Sequence, residues 1–390
     1  MRILLLTHNR VGLSSFLRAH ALGRHLATFG HSVTLIAGRQ EPGLRFLSAD
    51  MDGVLVIQLP DMLPTRLRHG GLSPLDVAGR LRYVARQRFD LVHGFEPRPS
   101  VSWPAVWIRR RQGIPFVADC ADLWGGAGIR SLRGPLGHAT LGRFDEFWEM
   151  RSRRSADAVT VISTALLADM RRMGHPAELA RLVPVGADAD RIRPLPGETA
   201  RAAYGLPANA EILMYTGHTT YDEVLLAGAF AVLARARPRA WLVLTGGELP
   251  IVKQVAEQAG VAGRVRHLGF VPHEHVSLAL ACGDVMILPH TNRPVNAFRY
   301  PNRFGDYLSA GKPTLTNLTG DLGRAIEDYQ VGVCAAETPQ AMADAAAALF
   351  EDPARRAALG SRARQLAEGE FSWRARAREV DDLYARLMQG

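Results

Sequence analysis

The residues best placed to do chemistry lie in the stretch Tyr300-Pro301-Asn302-Arg303-Phe304-Gly305-Asp306-Tyr307-Leu308-Ser309-Ala310-Gly311-Lys312-Pro313. Pro301 suits the first turn of a helix and Gly311 its carboxyl-terminal stop, so the spacing predicts a helix of about ten residues. It follows Asn296-Ala297-Phe298-Arg299. An anion at its start would meet the helix dipole, free N–H groups and the guanidinium of Arg299 or Arg303. Asp306, one turn in, suits hydrogen bonds from a ribose. An ordinary capped helix with solvated arginines is the plainer alternative. Elsewhere, the first strand-to-helix loop lacks the Gly-x-Gly-x-x-Gly spacing of a nicotinamide-binding fold. Gly12 in that loop either lets the backbone approach a ligand or simply makes the turn. His93 and Glu96 follow one strand, and Asp119 and Asp122 follow another. A histidine at a strand end is as readily a satisfied polar group as a reacting one.

Positioning these residues takes strands and helices in alternation, and the chain supplies that pattern twice. Met1–Thr7 is an apolar run, followed by a stretch with Phe16, Leu17, Ala19, Leu22 and Leu26 on one helical face, ending at Gly30. Ser32–Ala37, Gly53–Leu59, Leu91–His93, Pro115–Ala118 and Ala158–Ile162 read as further strands. The pattern then breaks at Arg193-Pro194-Leu195-Pro196-Gly197, which suits a linker spanning Arg191–Pro207. A second series follows: Ile212–Thr216, Trp241–Thr245, Val265–Leu268, Val285–Leu288, Thr314–Thr316 and Gly332–Ala335. Continuous Val/Ile/Leu strands separated by helices imply parallel sheets covered on both faces. The expected fold class is α/β, with two tandem Rossmann-like, doubly wound domains whose strand carboxyl ends face a common cleft. The domains are expected at 1–190 and 191–372, with a final helix, 373–390, packing back on the first.

Composition agrees. The 390 residues are 47% hydrophobic and 22% charged, which excludes a disordered tail, a collagen-like fibre and a disulfide scaffold. No apolar run suits a membrane span or a secretory signal, and the three cysteines have no metal spacing, so a cytoplasmic protein is expected. Up to Asp190 there are 25 Lys and Arg against 17 Asp and Glu, and beyond it 22 against 21. A basic first half suits an anionic partner, although an arginine-rich coding bias has the same signature. Nucleic acid is not expected, because no helix-turn-helix, zinc or RNP-type signature accompanies the charge.

At Pro301–Pro313 the chain resembles the family-four retaining glycosyltransferases and their "P-N-K-x-x-E-Y-x-A-x-G-K-P" segment. Five further stretches are similar in the same order. They are Gly30-His31-Ser32-Val33, Asp90-Leu91-Val92-His93-Gly94-Phe95-Glu96-Pro97, Ala156-Asp157-Ala158-Val159-Thr160-Val161-Ile162-Ser163, Val183-Pro184-Val185-Gly186-Ala187-Asp188 and Phe371-Ser372-Trp373. The resemblance implies a GT-B fold and transfer of a sugar, with retention of configuration, from a nucleotide-diphosphate sugar. It implies an acceptor-side first domain and a donor-side second one, no metal, and no cofactor beyond the nucleotide sugar as co-substrate. The acceptor is expected to be a small molecule, a glycan or a lipid-linked compound. Donor binding is implied at Gly12, Gly217, His218, Phe270, Val271, Phe298, Arg299, Tyr300, Asn302, Arg303 and Asp306. The catalytic candidates are Asp122, His93 and Glu96.

The chain departs from the family pattern at three places. Ala121 stands where the family has a histidine that touches the donor sugar. Phe298 replaces the first acid of the E-x7-E pair, whose second position is Asp306. His218, Thr219, Thr220, Tyr221 and Asp222 replace the loop that carries an Arg and a Lys for the diphosphate. A pseudo-transferase that binds without turnover, or a nucleotide-sugar isomerase, is therefore the alternative function. One further helix, containing Arg143, Phe144, Phe147, Trp148, Arg151, Arg153 and Arg154, mixes aromatic and basic residues. It suits a peripheral contact with the inner face of a membrane or an anionic acceptor. Because Asp145, Glu146 and Glu149 dilute its charge, the favoured expectation is that Phe144, Phe147 and Trp148 are buried and the arginines solvated.

Overall fold

In the computed structural model, which describes residues 1–126, 128–217 and 222–389, the chain divides into two compact units. The first comprises Met1–Pro184 and the final helix, and the second Val185–Ser372.

The first unit is built on strands β1 (Arg2–Arg10), β2 (Ser32–Gly38), β3 (Leu47–Met51), β4 (Val54–Gln58), β5 (Leu91–Phe95), β6 (Phe116–Cys120), β7 (Ala158–Val161) and β8 (Ala180–Leu182). Their order is β3-β4-β2-β1-β5-β6-β7-β8, and every pairing is parallel except β3 with β4. Ile3, Leu4, Leu5 and Leu6 of β1 have no exposed surface, which is why the strand reads as an unbroken apolar run rather than an alternating one. The antiparallel edge strand β3 was not legible in the sequence. Four of its five residues are exposed, so it carries no core periodicity.

Helices α1 (Ser14–Thr28), α2 (Pro99–Gln112) and α3 (Leu141–Ser155) belong to this unit. Helix α3 overturns the expectation for its aromatic residues. Phe144 is 39% exposed and Phe147 57%, whereas Asp145 and Glu149 are buried. The cause is pairing. Arg98 and Arg133 both donate to Asp145, Arg153 donates to Glu149, and the backbone N–H groups of Trp124 and Gly125 also donate to Glu149 at 2.9 and 2.8 Å. Residues four apart share a helix face, so drawing these two acids inward turns the aromatic face out.

The second unit carries β9 (Glu211–Thr216), β10 (Ala240–Thr245), β11 (Val265–His267), β12 (Val285–Ile287), β13 (Thr314–Asn317) and β14 (Gly332–Ala335), all parallel, in the order β11-β10-β9-β12-β13-β14. Two short helices, α4 (Pro294–Phe298) and α5 (Arg303–Ser309), follow β12. Helix α5 begins two residues after Pro301, not at it. A turn with the Phe304 N–H bonded to the Pro301 carbonyl at 3.0 Å leads into the helix, which is therefore only seven residues long. The segment expected as a linker belongs to this unit and includes a helix, Gly197–Ala203.

The final helix, α6 (Trp373–Gln389), packs beside α1 and is locked by a buried polar chain. Arg18 of α1 reaches both carboxylate oxygens of Asp119 at 2.9–3.2 Å and the Val183 carbonyl at 2.8 Å. Thr160 donates to Asp119 at 2.6 Å and lies 3.1 Å from Nε2 of His93, whose Nδ1 is 2.7 Å from the Tyr384 hydroxyl. The Arg18 and Asp119 side chains are 2% and 0% exposed, so neither charge is compensated by water. Arg18→Met is expected to destabilise the first unit by about 3–5 kcal/mol, and Arg18→Met with Asp119→Leu by much less. Denaturant unfolding followed by circular dichroism checks this. Equal losses from the single and double variants would mean that the stranded carboxylate is not the source.

Candidate active site

In the second unit the candidate groups gather where β9, β10 and β11 end. Tyr215, fully buried on β9, lies under the Arg303 guanidinium, which sits 4.8 Å from the ring centroid and donates to the phenol oxygen. Gly217, just beyond β9, has φ +89°, and a Cβ there would lie 3.3 Å from the guanidinium carbon. Gly246 after β10 has φ +94°, and a Cβ there would come within 2.8 Å of the Gly217 Cα and carbonyl oxygen. Only glycines let these two loops cross so closely and leave Arg303 against bare backbone. Thr216 donates to the Tyr307 hydroxyl through its N–H (3.0 Å) and its hydroxyl (3.1 Å), tying β9 to α5.

Asp306, also on α5, is half-buried, and its carboxyl is pushed up to about 7 by loss of solvation and by the Asp188 charge, against the pull of Arg303. The loop before α4 is pinned by buried Asp222. This carboxylate accepts from the Thr291 N–H (3.1 Å) and hydroxyl (2.5 Å) and from the Asn296 amide (3.3 Å). His290 donates from Nε2 to the Asn296 carbonyl at 2.8 Å, and burial lowers its pKa to about 4, so it is neutral.

The other donor-side candidates are more dispersed. Phe298 and Arg299 are half-buried at the end of α4 and in the link to α5, and Asn302 is exposed. Tyr300 is buried, with its ring 6.0 Å from that of Phe304. Phe270 is 78% exposed and Val271 half-buried, one and two residues after Gly269, whose carbonyl accepts from the Gly246 N–H. His218 lies outside the described residues.

In the first unit Glu96 has φ +74°, a left-handed backbone that non-glycine residues adopt only when the surroundings enforce it. Its carboxylate is buried, accepts from the Trp124 indole N–H at 2.5 Å, and is held well above the usual carboxylate range by burial and by nearby Asp122. Asp122 is half-buried, and Gly12 is exposed with open space on its Cβ side.

His93 is corrected. It has no exposed surface, both ring nitrogens are engaged within the unit, and burial lowers its pKa to about 4. It joins the sheet to α6 from within the core. Asp119 is committed to Arg18. Among the described residues no group of three or more His, Cys, Asp or Glu side chains is disposed to hold a metal ion.

Residues 17–186 match the family described as "Glycosyl transferase 4-like domain", and residues 210–352 match "Glycosyl transferases group 1". The D-inositol 3-phosphate glycosyltransferase of Kineococcus radiotolerans is 30% identical over 343 residues, covering 80% of this chain and 75% of that protein. The chain belongs to the family-four-like glycosyltransferases. Its fold is GT-B. Sucrose-phosphate synthase from Thermosynechococcus elongatus superposes with a TM-score of 0.79 at 20% identity, covering 100% of this chain and 99% of that one. HepE from Anabaena, solved in complex with UDP and glucose, superposes with a TM-score of 0.73 at 16% identity, covering 99% of each chain.

Sequence reading missed two side chains beside Trp124 in the candidate site. His8, on β1, is buried with its ring 6.1 Å from that of Trp124, and its Nδ1 has no partner among the described residues. Burial together with the Arg98 and Arg80 charges lowers its pKa to about 3. Arg98 stacks its guanidinium 4.6 Å above Trp124 and pairs with Asp145. The available signal for His8 was its place at the end of the first apolar strand. Arg98 had none, because its partner lies 47 residues away.

The raised pKa of the Asp306 carboxyl predicts a pH-dependent stability. An ordinary aspartate titrates near 3.8 and Asp306 near 7, so between those values the folded chain holds a proton that the unfolded chain has lost. Its contribution to stability falls as pH rises through that window and levels off above about 7. Asp306→Asn is expected to remove this slope from the pH dependence of the melting temperature; an unchanged slope would assign the titration to another group.

Proposed function

We propose that this glycosyltransferase takes its sugar from a nucleotide-diphosphate sugar and delivers it with retention of anomeric configuration. The observation that carries the reading is the Arg303 guanidinium, braced on Tyr215 and lying against Gly217 at the end of β9. Ligands of open parallel sheets bind beyond the carboxyl ends of the strands, and a fixed cation there suits a diphosphate. In this reading the bond between the anomeric carbon and the diphosphate oxygen breaks with its electron pair going to that oxygen, an acceptor hydroxyl oxygen bonds to the carbon, and the hydroxyl proton passes to the leaving diphosphate. Arg303, assisted by Arg299, stabilises the negative charge that grows on the leaving diphosphate.

Asp306 accepts from the ribose, and the backbone at Gly269–Val271 meets the base. Gly217, Phe298, Tyr300 and Asn302 complete the donor side. On the acceptor-side first unit, Asp122 or Glu96 holds a sugar hydroxyl, and Gly12 meets the donor sugar or the acceptor. The strained backbone and desolvated carboxyl of Glu96 support that role, since strain and raised pKa values gather at functional sites. The UDP and glucose bound by HepE and the inositol-phosphate chemistry in the name of the Kineococcus relative support a nucleotide-sugar donor and a small polar acceptor. We further propose a cytoplasmic location, which the three unpaired cysteines Cys120, Cys282 and Cys334 favour.

A thermal-shift screen with UDP, GDP, dTDP, ADP and their sugar conjugates is expected to give stabilisation selective for one base. Arg303→Ala should weaken binding of that nucleotide by about 1.5–3 kcal/mol, or roughly 10- to 100-fold. An unchanged dissociation constant would remove Arg303 from the site. Glu96→Gln keeps the side-chain shape and removes the ionisable carboxyl. It should lower kcat by roughly tenfold or more with nucleotide affinity intact. Equal turnover by Glu96→Gln would sink the catalytic role. Donor binding without transfer to any acceptor in a broad panel would favour a pseudo-transferase.

A further inference from the structure

Helices α2 and α3 of the first unit enclose a groove of about 460 Å³ walled by Trp103, Trp107, Trp148, Arg110, Arg111 and Arg151. No residue of the proposed donor or acceptor chemistry lines it. Trp148 is the hub of an aromatic cluster. Its ring centroid is 5.2 Å from that of Trp103, 5.3 Å from Phe147 and 6.0 Å from Phe144. Trp103 is 44% exposed, and Leu141, at the start of α3, is 52% exposed. Leu141, Phe144, Trp148 and Arg151 recur at three- and four-residue spacing, so α3 presents one continuous outward stripe that begins apolar and ends cationic.

The charge on this face is one-sided. Helix α2 contains no Asp or Glu, and the two buried acids of α3 point inward to Arg98, Arg133 and Arg153. The third, Glu146, is bound to Arg130. Arg110, Arg111, Arg143, Arg151 and Arg154 are all exposed, and none forms an ion pair among the described residues. Of the acids counted in the sequence as diluting the positive charge, Asp145 and Glu149 are buried, and the half-buried Glu146 is paired with Arg130 and does not line the groove.

We propose that this groove and its arginine border dock the protein on an anionic phospholipid surface. Tryptophan and phenylalanine partition to the boundary between headgroups and acyl chains, and guanidinium groups pair with lipid phosphates while their alkyl stems cover apolar surface. Trp103 and Trp148, tilted 56° to each other, wall a groove together with Trp107, an arrangement suited to an acyl chain. Nucleic-acid bases instead stack on open aromatic faces. The docking surface belongs to the first unit and shares no residue with the donor site on the second, so it does not rest on the proposed transfer reaction.

The test is co-sedimentation of the full chain with phosphatidylglycerol-containing vesicles and with pure phosphatidylcholine vesicles. Binding is expected only to the anionic vesicles, weakened by added salt and accompanied by a blue shift of tryptophan emission. Arg110→Glu/Arg111→Glu/Arg151→Glu should lower vesicle affinity by about tenfold or more, and Phe147→Ser by several-fold. Both variants should keep the wild-type melting temperature and nucleotide affinity. Arg86→Glu/Arg88→Glu, on exposed positions after helix Pro74–Val84, should leave vesicle binding unchanged. Three results would each overturn the proposal: no binding of the wild type to anionic vesicles, equal loss in the Arg86/Arg88 control, or tighter binding to a random RNA duplex than to vesicles. Failure of the donor screen would leave this result untouched, because vesicle binding is read without nucleotide.

Discussion

A charge withdrawn from water must find a partner of opposite sign or a set of hydrogen bonds, and most of what is distinctive in this protein follows from that requirement. In the first unit, Asp119 sits at the end of a fully buried strand and is satisfied by Arg18 and Thr160. Through Thr160 and His93 the same chain of contacts reaches Tyr384, which brings the last residues of the chain onto a sheet begun by the first ones. Asp145 and Glu149 obey the same rule on α3. By taking their partners from inside the unit, they orient the whole helix and hold the Trp124–Gly125 loop in place.

That orientation has two consequences at opposite faces of α3. Inward, Glu149 and Asp145 position Trp124 and Arg98, and Trp124 in turn donates to the strained, buried Glu96. Outward, the helix shows aromatic rings and arginines that form no ion pair among the described residues. The proposed chemistry of the acceptor-side unit and its proposed membrane surface thus depend on the same ion pairs. In the second unit the corresponding constraint is steric as much as electrostatic. Gly217 and Gly246 lie too close for side chains, and the space they leave is where the Arg303 guanidinium rests on Tyr215.

Much of this was legible from residue order. Two series of buried strands, the anion-suited Arg303 and Asp306, and the resemblance across six stretches all led to a GT-B glycosyltransferase. The readings that failed did so for physical reasons. His93 sits at a strand end, where a ligand-facing histidine and a core histidine leave the same trace; its exposure depends on Tyr384, 291 residues away. Pro301 marks a helix start in sequence terms, yet the chain completes one turn before α5 begins. Strand β3 escaped because an exposed edge has no hydrophobic period to read.

By itself, the sequence determined the α/β class, the parallel character of the sheets, the family and the identity of the basic residues. These depend on composition, local periodicity and short motifs, all carried by neighbours along the chain. Only the tertiary structure decided which charges are neutralised. Whether Asp145 dilutes a cationic helix or disappears beneath it depends on Arg98, 47 residues upstream, and whether Asp306 is ionised near neutral pH depends on Asp188 and on lost solvation. Pairing and desolvation are properties of what surrounds a group in space, and the order of residues does not specify those surroundings until the chain has folded.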